Sequence, residues 1–320
     1  MNLSEKINNI ILGKTSNEVS LEFYKNYHKN FRDSGIHKGK TVLNQLNSLR
    51  NIPNLERLAY VSLGGSEGSE LDYILRNSEI KVGILMELDT HACEIANEKL
   101  SSLPDDKKYQ IIPGDLTQQT KTLHSILNKF KEAGDIEGVL IVANSVFHEL
   151  SLRSLKFDIN SLIGELFWDW DPCIFICREP CKPFNWPERV EFSVRGLSSD
   201  LLYDFTQEVK SQLSFSDEIM RCGPKFVSTS SILATEVIHK LFYIDDFNYE
   251  IKERLTSLDP DNFVRLIEQQ LGKNSVFQVR LNSSSFSRKY QELDIEARNS
   301  DGVMLPMPLT FFSILASKTT

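Results

Sequence analysis

The sequence predicts an α/β fold in which helices cover both faces of a mostly parallel β-sheet. Between residues 55 and 180, short apolar runs alternate with segments whose apolar residues recur at helical spacing. The apolar runs are nearly continuous, which is typical of parallel strands that are buried on both faces. Alternation of such strands with amphipathic helices is the pattern of a layered α/β domain.

Seven strands are predicted, five in this stretch and two near the end of the chain. The first five are 58–63, 82–86, 109–112, 139–143 and 174–177. Helices are predicted to begin near Leu71 and to cover 91–100 and 123–130. The tail carries strand-like runs at 276–281 and 309–315, and we expect these two to form a closing hairpin.

The chain divides into four predicted segments. Residues 1–52 are expected to form an N-terminal helical lid, and residues 53–181 the core of the α/β domain. Residues 182–255 contain several prolines and two helical patterns, so they are predicted to be a helical insertion or lid. Residues 256–320 are expected to complete the core with its closing strands.

Composition favours a folded cytoplasmic protein and makes nucleic acid a less favoured partner. The hydrophobic fraction is 41% and the charged fraction 25%, as in ordinary soluble domains. A net charge of -8 lacks the basic character that phosphate binding requires. The five cysteines are an odd number, and the N-terminal apolar run is too short for a secretory signal, so we expect reduced thiols and no membrane association.

A glycine-rich turn follows the first predicted strand. It contains Gly64, Gly65, Ser66 and Gly68, and a helix is predicted directly after it. Where side chains are missing, a ligand can approach the main chain closely. The same pattern also fits a tight strand–helix turn with nothing bound.

An acidic residue ends the second predicted strand. Glu87 follows Gly64 by about 20 positions, the separation at which an acid can accept both hydroxyls of a ribose. Leu88 adjoins it, and Asp89 is a competing acid. The glycine turn and the acid together predict a ligand that contains a nucleoside.

Two further polar groups follow strands three and four. Asp115, which precedes Leu116, could accept a hydrogen bond from an exocyclic amine or could cap a helix. After strand four, Asn144 and Ser145 lead into His148 and Glu149. Because ligands bind at the carboxyl ends of parallel strands, these side chains are expected to line the same crevice; for His148 a structural role is equally open.

In order and spacing these positions resemble the class I S-adenosylmethionine (SAM) dependent methyltransferases, over about residues 55–180. Gly64 and Gly68 match the outer glycines of the family's Gly-x-Gly-x-Gly loop, Ser66 replaces the middle one, and Ser62 stands where an acid is common. Glu87 matches the ribose-binding acid and Asp115 the adenine-side acid. The stretch from Asn144 onward is similar to the strand-four segment of many members.

The resemblance implies a Rossmann-like fold with a seven-stranded sheet and a reversed final hairpin. It implies SAM as cofactor, S-adenosylhomocysteine (SAH) as product, and methyl transfer to an oxygen or nitrogen atom. The residues that would bind the cofactor are Gly64, Gly65, Ser66, Gly68, Glu87, Leu88, Asp115, Leu116, Asn144 and Ser145.

A small molecule is the acceptor class that we expect first. A peptide or protein side chain ranks second, and nucleic acid third. His148 is the first candidate for a general base, because its ordinary pKa suits proton transfer near neutral pH, and Glu149 is the second. Arg178 and Glu179 could bind a charged acceptor. Residues Tyr24, Tyr27 and His28 could close over the site or simply pack in a helix.

Two other functions stay open, namely an NAD-dependent oxidoreductase and a non-catalytic SAM or nucleotide binder. The glycine turn lacks the Gly-x-Gly-x-x-Gly order of dinucleotide sites, which argues against the first. Cys173, Cys177 and Cys181 are spaced C-x3-C-x3-C, one residue longer than the C-x3-C-x2-C of radical SAM enzymes. Buried packing explains them better, and no metal is predicted.

Overall fold

A computed structural model gives the architecture of most of the chain. The described residues are 7, 35–49, 54–153, 159–167, 170–244, 247–273, 275–282 and 290–318.

Seven strands form the central sheet, in the order β3-β2-β1-β4-β5-β11-β9. The described strands are β1 (Leu58–Leu63), β2 (Val82–Glu87), β3 (Lys108–Pro113), β4 (Gly138–Asn144), β5 (Cys173–Pro180), β6 (Arg189–Val194), β7 (Met220–Cys222), β8 (Phe226–Ser230), β9 (Val276–Asn282), β10 (Ile295–Arg298) and β11 (Phe311–Lys318). The first five are parallel, and β11 runs antiparallel to both β5 and β9. The predicted α/β fold class is confirmed.

Helices pack on both faces of this sheet. The described α-helices are α1 (35–46), α2 (Ser69–Asn77), α3 (Thr90–Leu100), α4 (Leu116–Glu132), α5 (Phe147–Arg153), α6 (Ile159–Leu166), α7 (Ser199–Gln212), α8 (Ser231–Phe242), α9 (Phe247–Glu250) and α10 (Pro260–Leu271). One apolar cluster joins the sheet to α1, α2 and α3, and another joins its other face to α4, α6 and α10. Side chains of β1 alternate between the clusters, as Tyr60 and Val61 show, because successive strand residues point to opposite faces.

The two tail strands pair as predicted, but they are not a simple hairpin. Residues Phe311 to Ala316 of β11 pair with residues of β9. Between these strands in the sequence lies β10, which is outside the central sheet and pairs with β6. The reversed strand of the expected fold, β11, is therefore present, and the segment that contains β10 is inserted between β9 and β11.

The segment 182–255 is not purely helical, so that prediction is wrong in part. The two helices expected there are α7 and α8, but β6, β7 and β8 accompany them. With β10 they form a four-stranded antiparallel sheet in the order β10-β6-β8-β7. Its apolar face packs with α7 and α8 in a third cluster, because a sheet with one buried face needs a covering layer.

The cysteines of β5 and the one that directly follows it are packing residues. Cys173, Cys177 and Cys181 are buried among the apolar side chains of one cluster. Burial raises the pKa of Cys173 and of Cys181 to about 12, and raises that of Cys177 well above its ordinary value. The thiols are therefore held in the neutral form, which is a poor metal ligand. Within the described part of the chain, no helix combines the length and apolar character needed to cross a lipid bilayer.

Candidate functional site

A cavity of about 820 Å³ lies at the carboxyl ends of β1, β2, β4 and β5. This is where ligands bind in open parallel sheets. Twelve residues singled out from the sequence line it, namely Gly64, Gly65, Ser66, Glu87, Leu88, Asp115, Leu116, Asn144, Ser145, His148, Glu149 and Arg178. Tyr24, Tyr27 and His28 lie outside the described residues.

The glycine turn forms one wall of the cavity. Gly64 has a φ of 59°, and a Cβ atom there would lie 2.8 Å from Val146 Cγ2, so the turn requires glycine. Ser66 also adopts a left-handed conformation, with a φ of 50°. Gly68 differs from the prediction: it caps α2 with a φ of 69° and contacts Ala96, and it is not among the lining residues.

Glu87 is held in place by two backbone amides. The Ser66 amide donates to Glu87 Oε2 at 2.8 Å, and the Asp89 amide donates to Oε1 at 3.0 Å. Each carboxylate oxygen retains acceptor capacity, since an oxygen can take more than one hydrogen bond. Glu87 therefore links the end of β2 to the glycine turn and can still accept bonds from a ligand.

The two other acids near this end are helix caps. Asp89 Oδ1 accepts a bond of 2.8 Å from the His91 amide at the start of α3. Asp115 Oδ1 accepts bonds from Thr117, at 2.9 Å from the amide and 2.8 Å from the hydroxyl. Asp115 Oδ2 accepts none from the part of the chain that the structure describes, so capping leaves one oxygen for a ligand.

Glu70 is a lining residue that sequence reasoning missed. It is 4% exposed and lies at the start of α2. Tyr60 Oη donates to its Oε1 at 2.5 Å, and Asn144 Nδ2 donates to its Oε2 at 2.6 Å. Burial of the Tyr60 phenol raises the pKa of Tyr60 well above its ordinary value, and the charge and hydrogen bond of Glu70 raise it further.

His148 is oriented by a buried carboxylate. Glu179 is fully buried, and its Oε2 lies 2.9 Å from His148 Nδ1. Its Oε1 accepts bonds of 2.6 Å and 3.1 Å from the amides of Val146 and Phe147. The expectation that Glu179 binds an acceptor is therefore wrong, because its oxygens are used inside the fold and it does not line the cavity.

The environment raises the pKa of His148 above its ordinary value of 6.5. Burial alone would lower it, but the hydrogen bond and charge of Glu179 outweigh that, with help from Glu149 and Glu253. The bond to Nδ1 orients the imidazole, and His148 lines the cavity. The imidazole is thus a stronger base than an isolated histidine.

Side chains from the layers of both sheets also line the cavity. Arg178 lies 5.0 Å from the ring centre of Phe311, and burial lowers its pKa. From the layer of the second sheet come His239 and Glu250, whose Nε2 and Oε2 atoms are 3.0 Å apart.

One group of side chains bears on the metal prediction. Ligand atoms of His148, Glu149 and Glu253 lie within 4.8 Å of one another. Such a spacing is common without an ion, so the absence of a metal stays a prediction.

Comparison with known proteins gives likeness of fold alone. No family model matches the chain, and no curated protein matches it. A SAM-dependent methyltransferase from Mesorhizobium loti is 10% identical, with a TM-score of 0.42, and the match covers 83% of this chain and 93% of that one. The plantazolicin methyltransferase BpumL, solved with SAH, is 11% identical, with a TM-score of 0.43 over 99% of this chain and 95% of that one.

The pyocyanin biosynthetic protein PhzM is also similar. It is 11% identical with a TM-score of 0.37, and 84% of this chain is covered. This chain spans about half of PhzM, since 52% of that chain is matched. These likenesses are distant, with TM-scores of 0.37 to 0.43, and a fold does not by itself fix an activity.

Proposed function

We propose that this protein is a class I SAM-dependent methyltransferase that acts on an oxygen or nitrogen atom of a small molecule. The observation that carries the proposal is the Glu87 carboxylate, which is fixed by the Ser66 amide at the carboxyl end of β2 inside the cavity. An acid placed so beside a glycine turn is the arrangement that holds a ribose. The reversed β11 is the sheet feature that the resemblance implies.

The described residues fit the proposed cofactor. Glu87 would accept the two ribose hydroxyls, and Asp115 Oδ2 would accept a bond from the adenine amine. Leu88, which is 48% exposed, and Leu116 would offer apolar surface for the base. The backbone of Gly64 and Gly65 can approach the methionine part, with Asn144 and Ser145 beside it.

When bound, SAM supplies a methyl group made electrophilic by its sulfonium. The protein has to align the acceptor with that methyl group and exclude water. In this proposal His148 takes the proton that the acceptor loses, and Glu179 stabilises the resulting imidazolium. Glu149 lies beside it as the second candidate for this role, and Arg178 would contact an anionic group of the acceptor.

Two alternative functions are tested by the same purified protein and variants. An NAD-dependent oxidoreductase would also use Glu87, and a non-catalytic binder would hold SAM without turnover. Peptide or protein acceptors are the next candidates after small molecules, followed by nucleic acid. The acidic cavity wall that contains Glu149, Glu250 and Glu253 disfavours the last of these, because phosphates would be repelled.

Transfer of a labelled methyl group tests catalysis. The full chain would be incubated with methyl-labelled SAM and a panel of hydroxyl, amine and peptide acceptors. We expect labelled product, and a decrease of about 100-fold or more in rate for His148→Asn, as is typical when a general base is removed. His91→Asn is the matched control, because His91 is exposed on α3 and does not line the cavity.

Absence of transfer to every acceptor, with SAM bound, would favour the non-catalytic binder. Transfer at equal rates in His148→Asn and the wild type would remove His148 from the mechanism while leaving the activity in place.

A further inference from the structure

Helix α1 lies directly against the start of α2. A Cβ atom on Gly35 would come within 2.7 Å of Ser69 Cβ, and one on Gly39 within 2.7 Å of Tyr73 Cδ1. The two glycines are four residues apart and therefore share one helix face. Their lack of side chains lets the two helix backbones approach closely, which fixes α1 beside the glycine turn.

This packing brings Lys38 to the cavity. Lys38 lies between the two glycines, is half-buried, and lines the cavity together with Gly35 and Glu70. Among the described residues its ammonium makes no hydrogen bond and no ion pair. A partly buried cation without a partner is costly, and an anionic ligand group would offset that cost.

The direction of the pKa shift of Lys38 is consistent with a cation that the protein leaves partly uncompensated. Burial lowers the pKa of Lys38 below its ordinary 10.5, and the charge of Glu70 is the largest effect that opposes the lowering. Arg178 lowers the pKa further, while Glu179 and Glu149 raise it. Desolvation outweighs the nearby carboxylates, so the ammonium is not fully compensated by the protein.

A buried anion, Glu70, lines the same cavity. The Glu70 carboxylate receives hydrogen bonds of 2.5 Å from Tyr60, 3.4 Å from Ser62 and 2.6 Å from Asn144, all of them neutral donors. The cavity wall beside the glycine turn thus presents one cation, Lys38, and one buried anion, Glu70. Such a pair complements a ligand that carries both an ammonium and a carboxylate, as an amino acid does.

We infer that Lys38 binds the carboxylate of the amino-acid end of the cofactor, with the Glu70–Asn144 pair on the side of its ammonium. The inference rests on the proposed function, since it assigns the amino-acid end of SAM to this wall. Lys38 is a cofactor-binding residue in this view and takes no part in proton transfer. Nothing in the sequence pattern singles it out, because it belongs to a polar helix.

Two ligands that differ in the amino-acid part test the inference. SAH carries that part, whereas 5′-methylthioadenosine carries the same nucleoside without it. Calorimetric titration of the full chain would compare both ligands in the wild type, Lys38→Met and Lys40→Met. Lys40 is exposed on the same helix, which makes it the matched control.

We expect Lys38→Met to weaken SAH binding roughly 10- to 100-fold, the effect of losing a charge-assisted hydrogen bond. Binding of 5′-methylthioadenosine should be unchanged, and Lys40→Met should match the wild type for both ligands. The unfolding temperature of Lys38→Met should not fall, because the substitution removes an unpaired, partly buried charge. Lys38→Arg, which keeps the cation, should retain most of the SAH affinity.

Unchanged SAH affinity in Lys38→Met would overturn the inference and leave the proposed function intact. An equal loss for both ligands would also overturn it, since Lys38 would then support the whole cavity. If the wild type binds 5′-methylthioadenosine but not SAH, the assignment of this wall to an amino-acid end fails. If the wild type binds neither, the proposed function fails together with the inference.

Discussion

At the scale of single residues, Glu179 connects the fold to the proposed chemistry. Its carboxylate accepts bonds from the first amides of α5 and from the imidazole of His148. A fully buried carboxylate needs such donors, because burying an unpaired charge is very costly. The same bonds fix the direction of the histidine ring. Glu179 therefore acts through His148 rather than on a ligand.

The substitution Glu179→Gln should lower the pKa of His148. The pKa of His148 in the wild type is above 6.5 because Glu179, with Glu149 and Glu253, outweighs burial, so without the charge of Glu179 only the two smaller effects would oppose burial. Since the folded-state pKa is raised, the pair stabilises the protein fully below pH 6.5, and this stabilisation is lost as pH rises through the folded-state value. Ring NMR signals followed through a pH titration would measure the shift. An unchanged pKa would contradict the assigned role.

Sequence reasoning identified some of these residues and missed others for physical reasons. Glu87 and Asp115 were found because they follow strands at fixed distances from a glycine turn. Glu70 was missed because an acid in the first turn of a helix is usually solvated. Its burial depends on α1 and on β4, which are remote in the sequence. Lys38 was missed for the same reason.

At the scale of elements, strands outside the core were harder to predict than strands inside it. The core strands are continuous apolar runs, and each was found within a few residues of its bounds. Strand β6 reads Arg189-Val190-Glu191-Phe192-Ser193-Val194, a strict alternation that signals a half-buried strand. The nearby prolines favoured a prediction of turns at this position instead. Strand β10, with only four residues, gives too short a pattern.

The contact between α1 and α2 gives a prediction at this scale. Gly35→Ala would place a Cβ atom 2.7 Å from Ser69 Cβ and 3.2 Å from the Glu70 amide nitrogen. Alanine favours helix more than glycine does, yet this overpacking should cost about 1–3 kcal/mol of unfolding free energy. Urea unfolding would measure it, with the exposed His37→Ala as control. A variant more stable than the wild type would show that α1 does not pack as described.

At the scale of the whole molecule, the cavity lies between two sheets of different kinds. The parallel sheet provides the turn, Glu87 and Asp115, while the layer of the antiparallel sheet provides His239 and Glu250. Within that layer, α8 carries a buried ion pair, Lys240–Glu236, with a separation of 3.7 Å between Nζ and Oε2. The division separates the expected cofactor-binding part from a part that can vary with the acceptor.

Binding of the cofactor tests the central claim most directly. The full chain would be titrated calorimetrically with SAM, SAH and NAD, as wild type, as Glu87→Ala, and as the control Glu94→Ala, whose side chain is 79% exposed. We predict micromolar binding of SAM and SAH, a loss of roughly 10- to 100-fold in Glu87→Ala because two hydrogen bonds to a charged group disappear, and no change in the control. Binding of NAD instead, or of none of the three ligands, would contradict the account.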